Sequence, residues 1–194
     1  MRTRRAFRRR AHRQPPARLV FIDEFGTNLG MARRYARAQG GERALGRAPV
    51  NADPHVTLTF AIALRGLFAP MALPGAQNGD SFEAYVRTQL APRLRRGDVV
   101  IADGLGAHRR RVLRQLLRAR GARYWILPPY SPDLNPIEEA GAKVKHLVRA
   151  EAPRTLEGLY AAMGRALRRV THADLVGWFR HRATYAFGRM QSPR

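Results

Sequence analysis

The chain has 194 residues, enough for one compact domain, and it carries 36 Lys and Arg residues against 14 Asp and Glu residues. The resulting formal charge of +22 indicates a polyanionic partner, of which nucleic acid is the leading candidate. The lack of cysteine excludes disulfide scaffolds, thiolate zinc sites and thiol nucleophiles, and the 45% hydrophobic content excludes a wholly disordered chain.

The N-terminal segment, residues 1–17, is rich in arginine, contains no acidic residue and ends near Pro15 and Pro16. This composition predicts a basic flexible arm that adds nonspecific affinity for phosphate groups. An unstructured tail without functional consequence is the alternative interpretation. The last residues, 186–194, are predicted to form a second, short basic tail, which leaves 18–185 as the folded domain.

Three strands are predicted in the first half of this domain. Residues 19–23 form a short apolar run that ends in an acidic residue, which indicates a buried strand. The runs 56–64 and 67–73 predict a β-hairpin with its turn at Arg65-Gly66. Weaker strand signals lie at 31–35.

The second half of the domain alternates between helices and strands. Its predicted elements are a helix over 81–90 capped by Ser81, a strand over 99–103, a helix over 108–120, a strand over 124–127, a helix from Asn135-Pro136 to about Ala150, and two helices capped by Thr155 and Thr171. This order predicts an α/β fold in which helices flank a mixed sheet, antiparallel in its early strands and parallel in its late ones.

Two acidic residues, Asp23 and Asp103, each follow an apolar strand-like run. A carboxylate at such a position is costly to desolvate unless a cation meets it, and functional sites of open α/β sheets gather at the carboxyl ends of strands. Each residue also has a structural interpretation. Asp103 could be the turn residue of an Asp-Gly pair, and Asp23 could form an ion pair with one of the many arginines.

A third acidic position, Glu138, lies in the segment Pro-Asp-Leu-Asn-Pro-Ile-Glu-Glu over 132–139. Here the structural alternative is a capping box, in which Asn135 is the N-cap, Pro136 the first helical residue and Glu138 the third. Taken together, however, two aspartates from neighbouring strands and a glutamate from a helix start suit Mg²⁺, which prefers carboxylate ligands. Two such ions, roughly 3.5–4 Å apart, support phosphodiester cleavage.

Three segments carry a resemblance to a known family. They are Phe-Ile-Asp-Glu at 21–24, Asp-Gly-Leu-Gly-Ala-His at 103–108, and Leu-Pro-Pro-Tyr-Ser-Pro-Asp-Leu-Asn-Pro-Ile-Glu at 127–138. Together they resemble the DDE transposases, and most closely the bacterial insertion-sequence relatives of the mariner elements. The third motif is long and specific, and 34 residues separate Asp103 from Glu138, which is the spacing of this group.

The resemblance implies a ribonuclease-H-like DDE catalytic domain over 18–185 that cuts and joins DNA at the ends of an insertion sequence. It implies that Asp23, Asp103 and Glu138 form the catalytic triad and hold two Mg²⁺ per active site, with Mn²⁺ able to substitute. One departure is Gly104, where family members commonly have asparagine.

A second departure concerns the recognition of DNA. Family members usually begin with helix-turn-helix modules, whereas only the basic segment precedes Asp23 in this sequence. We therefore expect a separate helix-turn-helix subunit, with a split gene or a decayed copy as alternatives. By family analogy the partner is double-stranded DNA, both element ends and target, bound by a homodimer.

Basic residues in the loop 33–47 and the helix 108–120 are predicted to supply the phosphate contacts. The residues assigned to this role are Arg33, Arg34, Arg43, Arg47, His108, Arg109 and Arg110. His108 has two further interpretations, since it could belong to the metal site or merely begin the helix.

Two other functions remain open at this point. One is a catalytically inactive DNA-binding remnant without its helix-turn-helix module, and the other is a basic RNA-binding accessory protein. RNA-binding modules favour a sheet with exposed aromatic residues, and the aromatic content here is only 8%.

The longest apolar run, at 58–64, is too short to cross a membrane. We therefore expect a cytoplasmic, nucleoid-associated protein.

Overall fold

A computed structural model describes residues 2–33, 35–49 and 53–187. Within these residues five strands form one sheet of order β3-β2-β1-β4-β5, and they are β1 (Leu19–Asn28), β2 (His55–Ala63), β3 (Gly66–Pro74), β4 (Val99–Ala102) and β5 (Arg123–Ile126). Strands β1, β2 and β3 pair antiparallel, whereas β4 and β5 extend the sheet from β1 in parallel. The predicted mixed sheet and hairpin are therefore confirmed.

Six α-helices lie in the described part of the chain, and they are α1 (Arg2–His12), α2 (Gly79–Tyr85), α3 (Arg111–Ala119), α4 (Ile137–Glu151), α5 (Leu156–Arg168) and α6 (His172–Arg182). A π-helical turn over Val86–Leu90 continues α2. The predicted caps of the last two helices are confirmed, since Thr155 and Thr171 each accept a backbone N–H bond. None of the helices described is long and apolar enough to cross a membrane.

The central strand β1 separates two hydrophobic cores. Its alternate side chains Leu19 and Phe21 pack with α1, α4, α5 and α6, whereas Val20 and Ile22 pack with α2 and α3 on the opposite face. Because β1 is paired on both edges and covered on both faces, a continuous apolar run is the sequence it requires. This run ends at Asp23, where the polar chemistry begins.

Some element boundaries differ from those predicted. No strand forms over 31–35 in the residues described there. Helix α2 is capped by Asn78 rather than Ser81, because the Asn78 side chain accepts from two backbone N–H groups while Ser81 Oγ accepts from Asn78 N–H. The helix predicted to start at 108 begins at Arg111, after a separate 3₁₀ turn over Gly106–Arg109.

The prediction of a flexible N-terminal arm is wrong for residues 2–12. They form α1, whose Phe7 is only 8% exposed and packs edge-on against Trp125 and Tyr185. The Arg10 guanidinium lies 3.9 Å from the centroid of the Trp125 ring, a cation–π contact. The many arginines of this segment masked, at the level of the sequence, the apolar face of a helix. That face packs against the edge of the hydrophobic core. Most of the predicted C-terminal tail, 188–194, lies outside the described residues.

Replacing Phe7 with alanine should lower the free energy of unfolding by about 3 kcal/mol, because a buried aromatic side chain is removed from the core. Urea denaturation followed by the fluorescence of the two tryptophans, or by circular dichroism, would measure the loss. The matched control is Arg5→Ala, an exposed position on the same helix, which should change stability by less than about 0.5 kcal/mol. Equal stabilities of the two variants would contradict the packing of α1.

Candidate active site

The parallel pairing of β1 and β4 brings Asp23 and Asp103 to the same level of the sheet. Phe21 pairs with Ile101, and the same register two residues further on aligns the two aspartates. Asp103 directly follows β4, whereas β1 continues past Asp23 because it remains paired with β2. Two carboxylates therefore lie next to each other at the carboxyl end of the parallel strands.

Glu138 reaches the same region from the first turn of α4. It lines a cavity of about 470 Å³ together with Asp103, Arg109 and the loop 127–135. Asp23 is not among the lining residues, but its negative charge interacts with those of Asp103 and Glu138. The three acids predicted from the sequence therefore lie close enough together for the charge of Asp23 to interact with those of the other two.

The environment of Asp23 disfavours its ionised form. Its side chain is nearly buried, with the residue 9% exposed. Burial, together with the charges of Asp103 and Glu138, raises the pKa of Asp23 to about 7, although the N–H of Glu24 donates to Oδ1 at 2.8 Å. Among the described residues no Lys or Arg forms an ion pair with any of these three acids. The ion pair between Asp23 and an arginine therefore does not form within the described part of the chain.

One oxygen of Asp103 is occupied by hydrogen bonds. Oδ1 accepts from the Leu105 N–H at 3.0 Å and from His108 Nδ1 at 2.5 Å, which leaves Oδ2 for a ligand. Burial alone would raise the pKa of Asp103, but these bonds and the positive charges of His108 and Arg109 lower it.

The capping-box interpretation of Glu138 is wrong. The N-cap of α4 is Pro136, no side chain caps this helix end, and Asn135 contributes only its backbone carbonyl, which accepts from the Glu138 N–H. The Asn135 side chain is instead buried in the cavity wall, with Oδ1 lacking a partner among the described atoms. The Glu138 carboxylate is consequently not engaged in holding the helix start.

The three acids do not form a compact metal-ligand cluster in this conformation. In the residues that the structure describes, no group of three or more His, Asp and Glu side chains has the arrangement of a metal site. The donor set nevertheless fits a divalent cation, because a buried carboxylate without a Lys or Arg partner faces two further negative charges. Mg²⁺ takes few protein ligands, mostly carboxylates, and keeps several waters.

The prediction that His108 contacts DNA is wrong, because this residue is fully buried. Its ring lies 4.1 Å from the Phe82 ring, centroid to centroid, and Nε2 lies 3.1 Å from Glu24 Oε1. Burial lowers the pKa of His108, but hydrogen bonds to Asp103 and Glu24 outweigh that effect and raise it to about 9. Glu24 is the site residue that sequence reasoning missed, although the period-two alternation of β1 places it on the same face as Ile22, towards α2 and α3.

The residues predicted to contact phosphate lie in two separate regions of the structure. Arg109 is exposed at the rim of the acidic cavity, whereas Arg110 is partly buried and bound to Asp80 at 2.6 Å. The exposed side chains Arg33, Arg43 and Arg47 belong to the loop 33–47, which packs near the far end of α4, about 18 Å from Glu138 along the helix axis. Arg34 lies outside the described residues.

Gly104, the departure from the usual asparagine, is accompanied by Arg109. The Arg109 Nε–H donates to the Gly104 carbonyl at 2.9 Å, and a Cβ at position 104 would lie 3.1 Å from Arg109 Nη2. The guanidinium therefore takes the space next to the second aspartate that a side chain at 104 would enter.

A mixed sheet in which two parallel strands extend three antiparallel ones, with helices on both faces, defines a ribonuclease-H-like α/β domain. Residues 18–159 match the family model of the DDE superfamily endonucleases, and the chain belongs to this family. The predicted family, and with it the enzyme class of an endonuclease, is confirmed.

Solved structures agree with this fold. The catalytic domain of the Mos1 mariner transposase is 16% identical, with 95% of this chain and 87% of that chain covered and a TM-score of 0.65. The Mos1 strand transfer complex is 17% identical, with 95% and 57% covered and a TM-score of 0.73. The Mos1 paired end complex with Mn is 17% identical, with 95% and 58% covered and a TM-score of 0.72.

This chain matches only part of the length of the transposase chains. The chain spans less than three fifths of the transposase chains in the two complexes. No curated protein sequence matches the chain. The neighbours confirm the predicted ribonuclease-H-like fold.

Proposed function

We propose that this domain is the catalytic domain of a transposase, in which Asp23, Asp103 and Glu138 direct Mg²⁺-dependent cleavage and strand transfer of DNA. The observation that carries the proposal is the electrostatic state of Asp23. Its buried carboxylate lies next to two like charges and has no Lys or Arg partner within 2–33, 35–49 and 53–187, and burial with these charges raises its pKa to about 7. Such a residue costs the fold stability, whereas neighbouring carboxylates are the ligands that a divalent cation such as Mg²⁺ takes.

Three carboxyl groups would hold the metal. Asp23 and Asp103 each have one oxygen engaged by a hydrogen-bond donor, and the side chain of Glu138 has no partner among the described residues. We propose two Mg²⁺ per site, with Mn²⁺ able to substitute, and solved Mos1 complexes with Mn and with Mg support a divalent ion. When bound, the ions supply charge neutralisation at the phosphate and activation of the attacking oxygen.

The residues of the protein itself orient the metal-binding carboxylates and supply positive charge for the DNA. Asp103 is oriented by two donors on Oδ1, and Glu138 is held by a 15-residue helix packed on β1. At the rim of the acidic cavity Arg109 supplies positive charge for the phosphate backbone, and the exposed arginines of α1 add positive charge to the surface. Binding to double-stranded DNA should therefore depend steeply on salt and only weakly on sequence.

The assembly is also a proposal. Structures of the Mos1 transposase include a paired-end complex with a transposon end, which supports a homodimer that holds two DNA ends. We propose that sequence recognition comes from a separate helix-turn-helix subunit, and that the DNA-bound protein is cytoplasmic and associated with the nucleoid.

Two neighbouring glutamates on α4 provide the test. Glu138→Gln should reduce Mg²⁺-dependent cleavage of supercoiled or pre-cut DNA by at least about 100-fold, because it removes one carboxylate from the site. Glu139→Gln is the matched control, since Glu139 contacts His181 and Arg182 rather than the cavity, and it should retain most of the activity. Gel electrophoresis of the DNA products measures both, and Asp103→Asn should behave like Glu138→Gln.

Cleavage by Asp103→Asn at the wild-type rate would refute the catalytic assignment. The alternative, a catalytically inactive DNA-binding remnant, predicts a different set of results. Wild-type protein would then bind DNA in a salt-sensitive manner that ignores Mg²⁺, survives the loss of Glu138 and yields no cut product.

A further inference from the structure

A fourth acid, Glu24, is linked to both aspartates of the site, to Asp23 directly and to Asp103 through His108. Its backbone N–H donates to Asp23 Oδ1 at 2.8 Å, and its carboxylate Oε1 lies 3.1 Å from Nε2 of the buried His108. The other ring nitrogen, Nδ1, lies 2.5 Å from Asp103 Oδ1. One residue is thus connected to Asp23 through its main chain and to Asp103 through its side chain and the imidazole.

The imidazole between the two carboxylates has little freedom to move. His108 is fully buried, and the Phe82 ring of α2 packs against it. The hydroxyl of Tyr124, on β5, donates to the His108 carbonyl at 2.9 Å. Because carboxylates only accept, both ring nitrogens donate, and the ring plane is defined by two fixed acceptors.

This geometry restricts Asp103 to one orientation. Its Oδ1 accepts from His108 and from the Leu105 N–H, so its Oδ2 is the oxygen left for a ligand. Ligating carboxylates that are hydrogen-bonded in this way bind metal in a defined geometry. Without Glu24 the imidazole loses the acceptor on Nε2, and the ring could turn away from Asp103.

We propose that Glu24 is a positioning residue, which acts through His108 to orient Asp103 for divalent-metal binding. This inference rests on the proposed function, because it assigns a supporting residue to the same site. A purely structural ion pair would stabilise the fold but leave metal affinity unchanged. The two roles are therefore separated by a measurement of metal binding.

Three replacements of Glu24 distinguish the effect of its hydrogen bond with His108 from the effect of its negative charge. Glu24→Ala removes both, Glu24→Gln keeps an oxygen that accepts from Nε2–H without the charge, and Glu24→Asp keeps the charge on a side chain too short for the contact. The control is Glu151→Ala, which breaks an ion pair with Arg165 at the other end of α4. Thermal melting of each variant verifies folding.

Calorimetric titration with Mn²⁺ gives the affinity, and the Mn²⁺ concentration for half-maximal DNA cleavage gives a second value. Glu24→Ala and Glu24→Asp should both weaken Mn²⁺ binding about 10- to 100-fold, the usual effect of losing a partner that orients a ligand. Glu24→Gln should remain within about threefold of wild type, and Glu151→Ala should equal it.

Wild-type Mn²⁺ affinity in Glu24→Ala, with cleavage intact in the wild type, would overturn the positioning role and leave the proposed function standing. A Glu24→Gln variant that binds Mn²⁺ as weakly as Glu24→Ala would also overturn the positioning role. The negative charge of Glu24, rather than its hydrogen bond with His108, would then determine the Mn²⁺ affinity. A wild-type protein that neither binds Mn²⁺ nor cleaves DNA would refute both the proposed function and this inference.

Discussion

Asp23→Asn should make the protein more stable at pH 8 and at the same time abolish cleavage. Burial and the charges of Asp103 and Glu138 raise the pKa of Asp23 to about 7 in the folded protein, above the ordinary value of 3.8. The folded chain therefore binds a proton between pH 4 and 7 that the unfolded chain has already lost. Stability falls as the pH rises through this window, and the loss is complete above pH 7.

Asparagine removes this pH-dependent loss, because it has no charge to bury. In metal-free buffer the variant should exceed the wild type by up to about 4 kcal/mol in free energy of unfolding at pH 8. The two proteins should become equal near pH 3, below the ordinary pKa of 3.8, where the wild-type side chain is protonated in both states. Urea denaturation at the two pH values measures the difference, with the exposed Glu42→Gln as a control that should show none.

Cleavage by Asp23→Asn should fall by at least about 1,000-fold, since a metal ligand is lost. DNA affinity, followed by fluorescence anisotropy, should stay near that of the wild type, because phosphate contacts come from arginines. A gain in stability coupled to a loss of activity is expected for a residue retained for chemistry. Equal stability of variant and wild type at pH 8 would show that Asp23 is not forced to ionise near like charges.

Gly141→Ala should cause the largest loss of stability. A Cβ at this position on α4 would lie 1.9 Å from Cε1 of Phe25, a contact that no side chain tolerates. Phe25 cannot yield easily, because its ring stacks on Phe60 at 5.0 Å between centroids. We expect a loss of about 3 kcal/mol or more in free energy of unfolding.

The same substitution should reduce cleavage, because α4 carries Glu138 and would have to move away from β1. The matched control is Gly177→Ala on α6, where a Cβ would meet no atom within 4 Å. There alanine should stabilise the protein by roughly 0.5–1 kcal/mol, through its higher helix propensity. Calorimetric melting of both variants gives the comparison, and stabilisation by both would contradict the close packing of α4 on β1.

Local patterns predicted a large part of this molecule. The hairpin at 65–66 and the caps Thr155 and Thr171 depend on residues adjacent in sequence, so their signals are complete within a few positions. Asp23 and Asp103 were found because an acid after an apolar strand is exceptional in a chain so poor in acids. The family resemblance added the role of Glu138, which its local sequence alone left ambiguous.

What the sequence did not reveal depends on distant contacts. Helix α1 is defined by the packing of Phe7 on Trp125 and Tyr185, more than a hundred residues away. His108 is buried by Phe82 and Glu24, neither of which is near it in sequence, so its position after Asp103 suggested an exposed helix start. Strand β1 extends to Asn28 because β2 pairs with its polar half.

Two side chains, Arg4 and Arg8, join the N-terminal helix to the loop at the wall of the active site, and both pair with Asp133. Arg4 of α1 donates to the Tyr130 carbonyl and to Ser131 Oγ, and it forms a short ion pair with Asp133. These three acceptors belong to the loop that leads from β5 to Glu138. A displacement of α1 would therefore also displace the wall of the acidic cavity, so the N-terminal helix helps to define the shape of the site.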